Sequence, residues 1–473
     1  MPVIPFRANL FQDCKELYQF LFACQTTSLE KEHTQIVSIS LEVPPVDLLA
    51  ALQSIQQSDQ LHFYLERRRQ GEAIAGIDPV IQLKVEGSQR FTLAKNFIHS
   101  TLVDTITAGA LHLPFAGPHF FCSFTFFDHN LAADAPFPAA MIFLPRWQIA
   151  CRKQQGVVVA NLLVDSESDL ENLSEEIWQK LQKIRALRHS DLQSPENHAS
   201  GFSTQGISGI SNFKAAVSIA LASIQAKHFN KIVLAHVMDV ISPQAVDLFH
   251  SLDNLRDRYP DCYVFSTSNG QGQNFIGASP ERLIRIHDCQ LVSDALAGSA
   301  ARGQSLVEDA YLANRLLRSE KDIREHRIVI DFITECLAHL QMTPQISPPP
   351  HLLQLPNIQH LRTLIKAQVP PHLHLLDILA ELHPTPAVAG APREIACQHI
   401  RRYETFERNL YAAPLGWIDY QGNGEFAVGI RSALIDDCHT RLYAGAGIVA
   451  GSDPEKELTE IKLKLQALLE SLA

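Results

Sequence analysis

Short strand-like runs with a period of two residues dominate the first third of the chain. Five of them are 36-IVSISLEVP-44, 61-LHFYLE-66, 80-VIQLKVEG-87, 119-HFFCSFTFFD-128 and 139-AAMIFLPRW-147. Alternation of apolar and polar residues over so few positions, with short connections, favours antiparallel strands. A doubly wound parallel sheet would need strict alternation of strands and helices, which this chain lacks. The sequence therefore predicts an α+β fold of large mixed or antiparallel β-sheets with helices packed outside.

The second part of the chain adds helices to these strands. Apolar residues at helical spacing predict the helices, and polar residues at their starts predict the caps. The predicted elements are a helix over 167–187, a helix opened by Ser211-Asn212, a strand over 231–241, a long helix over 305–341, and a last helix from Pro454 with Ser452 and Glu455 in capping-box spacing. Between the two parts, 189–210 is rich in Ser, Gly, Asn and Pro, which predicts a surface connection. We therefore divide the chain into 1–195 and 205–473.

The charge balance argues against a polyanionic partner. The 473 residues carry 40 Lys and Arg against 51 Asp and Glu, a net charge of −11 at pH 7. The short basic run Arg67-Arg68-Arg69 is interpreted as a solvated strand edge. We therefore expect neither nucleic acid nor a membrane surface as a partner. A small anionic substrate is compatible with this charge, because its site needs only local cations, backbone N–H groups or a metal.

Targeting and membrane signals are weak in this sequence. Apolar runs such as 156-GVVVANLLV-164 have the length of a core strand and fall short of the roughly 18–20 residues of a membrane helix. The first twenty residues show no basic stretch followed by an apolar one, which predicts against a leader peptide. The nine cysteines form no CxxC pair, so we expect reduced thiols. A cytoplasmic location is the expectation.

Two helical segments carry acids at a spacing of three residues. Asp322 and Glu325 share one face of the first helix, and Glu457 and Glu460 share a face of the last, followed by Lys464. The ordinary interpretation of each segment alone is a solvated charged face or favourable acids near a helix start. If the two pairs face each other, they would form an oxygen-rich site for Mg²⁺.

Glycine, lysine and histidine give further candidates with ordinary alternatives. The segments 295-ALAGSAARG-303 and 445-GAGIVAG-451 are tight turns unless their N–H groups are presented to an anion. Lys231 opens an apolar strand, where a lysine usually reaches out to solvent. Loss of water would favour its neutral form and make it a candidate base. His383 is more often a hydrogen-bonded structural histidine than a catalyst.

Taken together, these segments resemble one enzyme family. The chain over 205–468 is similar to the chorismate-utilising enzymes, which include isochorismate synthases, salicylate synthases, anthranilate synthase large subunits and aminodeoxychorismate synthases. Eight ordered blocks carry the resemblance: FNKIVLAH (229–236), FIGASPERL (275–283), ALAGSAARG (295–303), SEKDIREH (319–326), LHPTPAVAGAP (382–392), ERNLYAAPLGWID (407–419), AVGIRSALI (427–435) and YAGAGIVAGSDPEKELTEIKLK (443–464). The N-terminal part matches isochorismate synthases less closely.

The resemblance implies a role for each matching residue. It assigns Glu325 and Glu460 as Mg²⁺ ligands with Asp322 and Glu457 beside them, Arg431 and Lys464 to a substrate carboxylate, Gly298, Gly445 and Gly447 to the substrate, Lys231 as general base, Glu281 as general acid and His383 to the pocket. In this chemistry the lysine takes a proton from the water that attacks C2 of chorismate. The glutamic acid protonates the hydroxyl that leaves C4, and the product is isochorismate.

The resemblance also separates the members of the family. Aminodeoxychorismate synthases carry a lysine nucleophile where this chain has Ala297, and anthranilate synthases lack the lysine at the position of Lys231. We therefore expect an isochorismate synthase that binds chorismate and Mg²⁺, without a glutaminase subunit, as a monomer or weak dimer. A salicylate synthase, which goes on to eliminate pyruvate, is the first alternative, and an anthranilate synthase-type subunit is the second. A catalytically inactive, ligand-binding relative is a second class, against which the intact site residues argue.

Three positions depart from the family pattern. His236 stands where an arginine is usual, and Asn409 and Ala413 stand where glycines are usual. None of the three is a proposed catalyst. We expect them to alter loop geometry only.

Overall fold

A computed structural model describes residues 4–5, 11, 13–57, 59–132, 134–187, 203–204 and 210–472. Within these residues it contains 22 strands and 11 α-helices. The strands are β1 (Ile4–Pro5), β2 (Gln35–Val43), β3 (His62–Arg67), β4 (Glu72–Val85), β5 (Ile106–Gly109), β6 (His119–Phe124), β7 (Ala140–Arg152), β8 (Gln155–Val164), β9 (Ser203–Thr204), β10 (Lys231–Ile241), β11 (Tyr263–Ser268), β12 (Gln273–Ser279), β13 (Arg282–His287), β14 (Gln290–Ala301), β15 (Gln345–Ile346), β16 (His351–Gln354), β17 (Ile358–Gln368), β18 (Gly390–Ala391), β19 (Pro414–Asp419), β20 (Gly424–Val428), β21 (Ser432–Asp436) and β22 (His439–Val449).

The helices are α1 (Cys14–Lys31), α2 (Leu48–Ile55), α3 (Arg90–Val103), α4 (Leu170–Ala186), α5 (Ile210–Gln225), α6 (Leu248–Arg258), α7 (Leu306–Arg318), α8 (Glu320–His339), α9 (Leu375–Leu382), α10 (Arg393–Tyr403) and α11 (Pro454–Leu472). A single 3₁₀ turn, Arg68–Gln70, follows β3. None of the helices in the described part of the chain is both long and apolar enough to cross a bilayer.

All strands join one connected network that forks at β7. One edge of β7 pairs with β4, and its other edge is shared by β6 and β8. From β4 the order continues through β3, β11, β12, β21 and β22 to β10. From β6 it runs through β19, β20, β13 and β14 to β17. These pairings are antiparallel, whereas β5 is parallel to β2 and β1, so the predicted mixed, mainly antiparallel sheet is confirmed.

Strands from the two parts of the chain pair with each other. β3 lies beside β11, with Phe265 opposite Leu65, and β6 lies beside β19, with Trp417 opposite Phe121. Both arms of the fork therefore continue from the N-terminal part into the second part. The boundaries 1–195 and 205–473 stay a prediction, and the proposed connection 189–210 lies outside the described residues apart from Ser203, Thr204 and Ile210.

The predicted long helix over 305–341 is wrong in one respect, because it is two helices. Ser319 ends α7 and also begins α8, where its hydroxyl accepts a hydrogen bond from Asp322 N at 3.3 Å. A serine at this point can cap a new helix. One helix therefore ends and another begins, although the helical spacing of apolar residues continues through this point. Beyond the break, α8 packs against β14 and β17.

Two predicted helix caps are also wrong. α5 already includes Ser211 and Asn212, because it begins at Ile210. At α11 the cap is Asp453, whose carboxylate accepts from Glu455 N and Lys456 N at 2.9 and 3.0 Å. Ser452 instead accepts from Val449 N, at the end of β22. At α11 the neighbouring Asp453 thus supplies the acceptor at the helix start in place of Ser452.

The basic run at the end of β3 is a solvated edge only in part, because Arg68 and Arg69 are exposed and Arg67 is not. Arg67 is mostly buried and pairs with Glu425 at 3.0 Å and with Glu72 at 3.5 Å. Its guanidinium also lies over the Tyr263 ring, 4.9 Å from the ring centre. Arg68 and Arg69 bind Asp257 and Asp261 at the surface. The run therefore fastens the N-terminal part to the second part.

Candidate active site

A cavity of about 170 Å³ opens among the strands of the second part and the helices α8 and α11. Its walls come from the turn between β12 and β13, from β14, β17, β22 and α8, and from the start of α11. We call it the site cavity. The lining residues that carry polar chemistry are Glu281, Ser299, Lys321, Asp322, Glu325, His360, Tyr411, Arg431, Glu457, Glu460 and Lys464, together with the backbone at Gly298, Gly445 and Gly447.

Four carboxylates gather at one end of the site cavity. Asp322 and Glu325 reach it from α8, and Glu457 and Glu460 reach it from α11. Burial, together with the charges of Glu325 and Glu460, raises the pKa of Asp322. Burial and the charge of Glu460 likewise raise the pKa of Glu457. The two pairs therefore face one cavity and repel each other, which is the arrangement that the spacing allowed but did not require.

The same acids are already partly neutralised by lysines. Lys464 Nζ lies 2.7 Å from Glu460 Oε1, and Lys321 Nζ lies 3.4 Å from Glu457 Oε1. Among the described residues, no three histidine, cysteine or acidic side chains stand together as a ready metal-binding group. The donor set is nevertheless the one that Mg²⁺ prefers, because it consists of carboxylate oxygens whose mutual repulsion a divalent cation would relieve. The residues therefore fit the ion when Lys464 and Lys321 move away from Glu460 and Glu457.

Lys231 is fully buried, so the interpretation as a lysine that reaches solvent is wrong. Its side chain is 1% exposed, and its Nζ lies 2.9 Å from Glu325 Oε1. A methyl group at Gly447, on the neighbouring strand β22, would lie 2.7 Å from that oxygen and 3.4 Å from Lys231 Cε. A side chain at this position would therefore have to displace the Glu325 carboxylate from its present place. Lys231 does not line the site cavity. It stands behind Glu325, which does line it.

Glu281 lies in the turn between β12 and β13, with its backbone fixed on both sides. Its N–H donates to Ser279 Oγ at 3.2 Å, and its carbonyl accepts from Val428 N at 3.1 Å. Burial and the charge of Asp294 raise the pKa of Glu281 to about 8, against a smaller opposing effect of Lys231. The carboxyl group therefore holds its proton at neutral pH, as a general acid must.

Arg431 sits between β20 and β21 in the left-handed region, at φ 51°. Its Nη2 donates to His360 Nε2 at 2.8 Å. Because a guanidinium can only donate, the His360 proton must be on Nδ1, which is 2.9 Å from Ser299 Oγ and donates to it. Burial and the nearby Arg431 hold the pKa of His360 well below its usual value, which agrees with a neutral ring. The chain Arg431, His360, Ser299 orients the arginine in the cavity wall.

Sequence reasoning missed several residues of the site cavity, chiefly His360 and Tyr411. Tyr411 lies in the matched block 407–419, so the resemblance offered a signal that was not used. Its ring stacks on Tyr443 with centroids 5.2 Å apart, and a methyl group at Gly445 would lie 2.7 Å from its hydroxyl oxygen. His360 had no signal of its own in the sequence.

The glycine segments lie mostly in strands, and only the end of the second, with Gly451 at φ 89°, is a turn. Gly445 and Gly447 lie within β22, and Gly298 lies at a bulge of β14 with φ 77°. All three line the site cavity, where the lack of a side chain lets other groups approach the backbone. The interpretation as close-approach positions is therefore supported by the structure.

His383 does not reach the site cavity, which corrects its predicted pocket role. Its ring nitrogen Nε2 is 3.1 Å from the carbonyl of Phe126, and the ring packs against Phe91 and Phe126. Burial lowers the pKa of His383 to about 3. It is the hydrogen-bonded structural histidine that was the ordinary alternative.

The departures from the family pattern fit locally. Asn409 adopts the left-handed conformation at φ 48°, which asparagine tolerates better than other residues with a side chain. Its carbonyl accepts a hydrogen bond from Phe126 N at 2.8 Å. In the same turn the next positive φ, 60°, falls on Ala412 and not on Ala413. His236 is buried beside Phe213, with ring centres 5.6 Å apart.

Comparison with known proteins adds independent support. A family model described as chorismate binding enzyme matches residues 19–473. The salicylate biosynthesis isochorismate synthase of Pseudomonas aeruginosa is 41% identical over 265 residues, 55% of this chain and 54% of that protein. The isochorismate synthase MenF of Bacillus subtilis is 39% identical over 259 residues, 54% of each. The chain thus spans about half the length of these curated relatives.

Solved structures give the same picture at the level of fold. The menaquinone-specific isochorismate synthase MenF of Escherichia coli superposes with a TM-score of 0.77 at 26% identity, covering 96% of this chain and all of that one. Anthranilate synthase component I of Streptococcus pneumoniae reaches a TM-score of 0.68 at 20% identity, over 84% and 92% of the two chains. The second likeness concerns the fold alone, and together they confirm the predicted fold class.

Proposed function

We propose, on the premise that this chain belongs to the chorismate-binding enzyme family, that it is an isochorismate synthase, which converts chorismate into isochorismate. The observation that carries the proposal is Glu281, a buried carboxyl group that holds its proton at neutral pH beside a cavity. Arg431 lines the same cavity, and Lys231 stands behind Glu325, which also lines it. The relatives in Pseudomonas aeruginosa and Bacillus subtilis bear this activity in their names.

Glu281 supplies the proton for the departing group. Hydroxide is a poor leaving group, so the C4 hydroxyl of chorismate must be protonated as its bond to carbon breaks. Glu281 is 3% exposed and holds its carboxyl proton at neutral pH, so it can deliver that proton without competition from water. After the step Glu281 is an anion.

Lys231 supplies the base on the water side. In its amine form it accepts the proton of the water that attacks C2. Its Nζ lies 2.9 Å from Glu325 Oε1, which holds the side chain beside the cavity wall. Water addition at C2 and hydroxyl loss at C4 then balance in atoms and protons, with one proton taken up by Lys231 and one given by Glu281.

The carboxylates of the substrate require cations and N–H groups. Arg431 presents a planar guanidinium fixed by His360, and Lys464 Nζ lies 2.9 Å from the Gly445 carbonyl beside the same wall. The hydroxyl of Tyr411 and the backbone at Gly445 and Gly447 complete this wall. A dianionic substrate thus finds cationic and neutral donors in the cavity wall.

Magnesium would be held by Glu325 and Glu460, with Asp322 and Glu457 beside them. The ion would offset the charge of a substrate carboxylate and fix the orientation of the ring. The fit rests on the four carboxylates and their mutual repulsion in the site cavity.

The deciding experiment is a product analysis. The protein is incubated with chorismate and Mg²⁺, and isochorismate, salicylate, pyruvate and anthranilate are separated by chromatography. We expect isochorismate as the main product, without added ammonia or a glutaminase subunit. We also propose that the protein is a monomer or weak dimer and that it acts in the cytoplasm. Salicylate with an equal amount of pyruvate would instead identify a salicylate synthase, and unconverted chorismate would sink the proposal. The Glu281→Gln variant serves as the inactive control.

A further inference from the structure

A buried ion pair lies behind one wall of the site cavity. Glu404 ends α10, and Arg408 follows four residues later, before β19. Their side chains are 4% and 0% exposed, and neither lines the cavity. Arg408 Nε donates to Glu404 Oε2 at 2.8 Å, and Arg408 Nη2 donates to Oε1 at 2.6 Å. The two side chains thus form a two-point fork, which we call the buried pair.

The other hydrogen bonds of Arg408 go to two residues that do line the site cavity. Its Nη1 donates to the Val388 carbonyl at 2.9 Å, and its Nη2 donates to the Val233 carbonyl at 2.8 Å. Val388 belongs to the segment before β18, and Val233 belongs to β10. Because the N–H donors of a guanidinium are fixed in one plane, Arg408 sets the distance between these two wall segments.

The buried pair also takes the place of a strand along one edge of β10. β18 lies beside the start of β10, and the Ala389 carbonyl just before β18 accepts from Val233 N at 2.7 Å. On the next stretch the Val233 carbonyl accepts from Arg408. Two residues further on, Ala235 N donates to Glu404 Oε1 at 2.8 Å. Two side chains therefore bind backbone groups that an adjacent strand would otherwise bind.

Tyr411, whose hydroxyl completes the cavity wall, is connected to the same arginine. Tyr411 N donates to the Arg408 carbonyl at 2.8 Å, and the Arg408 guanidinium lies 5.9 Å from the centre of the Tyr411 ring. The guanidinium also lies over the ring of Phe126, 4.3 Å from its centre. Three segments of the wall thus depend on the position of one buried side chain.

We propose that the buried pair positions Val233, Val388 and Tyr411 in the wall of the site cavity. Both of its members are positioning residues, since neither lines the cavity itself. The inference rests on the proposed function, because that wall is where we place the carboxylates of chorismate. Without the pair, two buried carbonyls would lose their donor, and the wall segments would shift toward other partners. Binding of the substrate should then weaken more than the chemical step.

The test is a double-mutant cycle between the buried pair and the Tyr411 hydroxyl, made in the full chain. Tyr411→Phe removes only that hydroxyl and should raise KM for chorismate by about tenfold. Glu404→Gln keeps the size of the side chain but removes its charge, and it should raise KM by about tenfold while kcat falls by less than about threefold. In the Glu404→Gln background the hydroxyl is already displaced, so Tyr411→Phe should add less than about twofold.

Two further variants separate positioning from a general loss of stability. Arg408→Lys keeps the charge beside Glu404 but cannot reach both carbonyls with a planar fork, so KM should rise in the same way. Asp47→Asn is the matched control, because it weakens a comparably buried fork with Arg256, and neither residue lines the site cavity. It should leave KM and the effect of Tyr411→Phe unchanged, even where urea unfolding shows the same loss of stability as for Glu404→Gln.

The outcomes are distinct. The inference would be overturned if Tyr411→Phe kept its full effect in the Glu404→Gln background, if Arg408→Lys had the wild-type KM, or if Tyr411→Phe alone left KM unchanged. A loss of coupling in Asp47→Asn as well would also count against it. If Glu404→Gln does not fold, Arg408→Lys carries the cycle in its place.

Failure of the proposed function gives a different result. If the wild-type protein makes no isochorismate, that function is removed, and the dissociation constant of chorismate, measured by calorimetry, replaces KM in the same cycle. A wild-type protein that does not bind chorismate either would overturn both proposals.

Discussion

Buried charges serve opposite purposes in the site cavity and at the joint between the two parts of the chain. At the joint, Arg256 of α6 binds Asp47 through its two terminal nitrogens, Nη1 and Nη2, at 2.9 and 2.7 Å. Its Nε binds Asp253 at 2.8 Å. Asp47 also caps α2. In the site cavity, by contrast, Glu281 has no cationic partner at contact distance among the described residues. Arg256 is therefore a structural charge, whereas Glu281 has no adjacent cation that would hold its carboxyl group ionised.

The difference predicts which substitutions destroy activity and which destroy stability. The paired charges at the joint, which do not line the site cavity, should matter for folding and be silent in catalysis. The ionisable groups of the site should matter for catalysis. The following variants test that division, from the largest expected effect to the smallest.

Removal of the metal should have the largest effect. We expect EDTA to abolish turnover, and Glu460→Gln to come close to the same loss, because the carboxylate both binds the ion and offsets its charge. Mg²⁺ binding to wild type and variant is measured by calorimetry in parallel with turnover. Glu470→Gln, an exposed acid on the same helix that pairs with Arg258, is the control and should bind Mg²⁺ normally. Full turnover in metal-free buffer would contradict the magnesium site.

Loss of the acid or the base comes next. Lys231→Ala and Glu281→Gln should each reduce isochorismate formation by about 10²-fold or more, which is typical for a general acid or base. Far-ultraviolet circular dichroism should show an unchanged fold. If Lys231→Ala made isochorismate at the wild-type rate, water would have to be activated by another group.

The effect of Glu281 on the pH dependence of kcat has a defined position and a defined direction. The pKa of Glu281 is raised to about 8, so the proton is bound below that pH and lost as the pH rises through it. Since only the protonated form donates, kcat should fall by about tenfold per pH unit above that point. Stopped-time assays over a pH series measure this fall. A rate that keeps rising above pH 9 would exclude Glu281 as the acid.

The substrate clamp should show a smaller effect that appears mainly in binding. Arg431→Ala removes a charge-assisted contact of about 1.5–3 kcal/mol, so KM should rise by about 10- to 100-fold. Arg431→Lys should recover little, because a lysine cannot offer the planar fork that His360 orients. An unchanged KM in Arg431→Ala would remove this residue from the site.

Substitution at the joint should leave kcat and KM unaltered. Arg256→Met should lower the free energy of unfolding by about 3 kcal/mol, because it strands buried Asp47 without its partner. Arg258→Met, on the same helix, should cost less than about 1 kcal/mol, since that side chain is 39% exposed and its partner is exposed as well, whereas Arg256 is 7% exposed. Urea unfolding with a parallel activity assay measures both. A catalytic defect in a folded Arg256→Met protein would break the division.

The local spacing of apolar residues was enough to predict many of the strands and helices. The apolar run at 231–241 became β10 with the same bounds, and the helical period over 167–187 became α4. These elements depend on side chains that alternate or recur along one short segment, so their signal is contained in that segment. The helix break at Ser319 was missed, because the helical period runs through it and only a cap interrupts the backbone.

The candidate site likewise combines residues that the sequence indicated with contacts that only the structure shows. The types and spacing of Asp322, Glu325, Glu457 and Glu460 were visible in the sequence, and so was the resemblance that assigned Lys231, Glu281 and Arg431. The structure decided that both acidic pairs meet in one cavity, that Lys231 stands behind Glu325, and that His383 lies elsewhere. It also decided that Arg67 joins the two parts and that Arg408 binds two carbonyls of the cavity wall. These facts depend on strands paired across long stretches of chain, and on the loss of water at their contacts. Both arise only when distant segments pack, so no local pattern contains them.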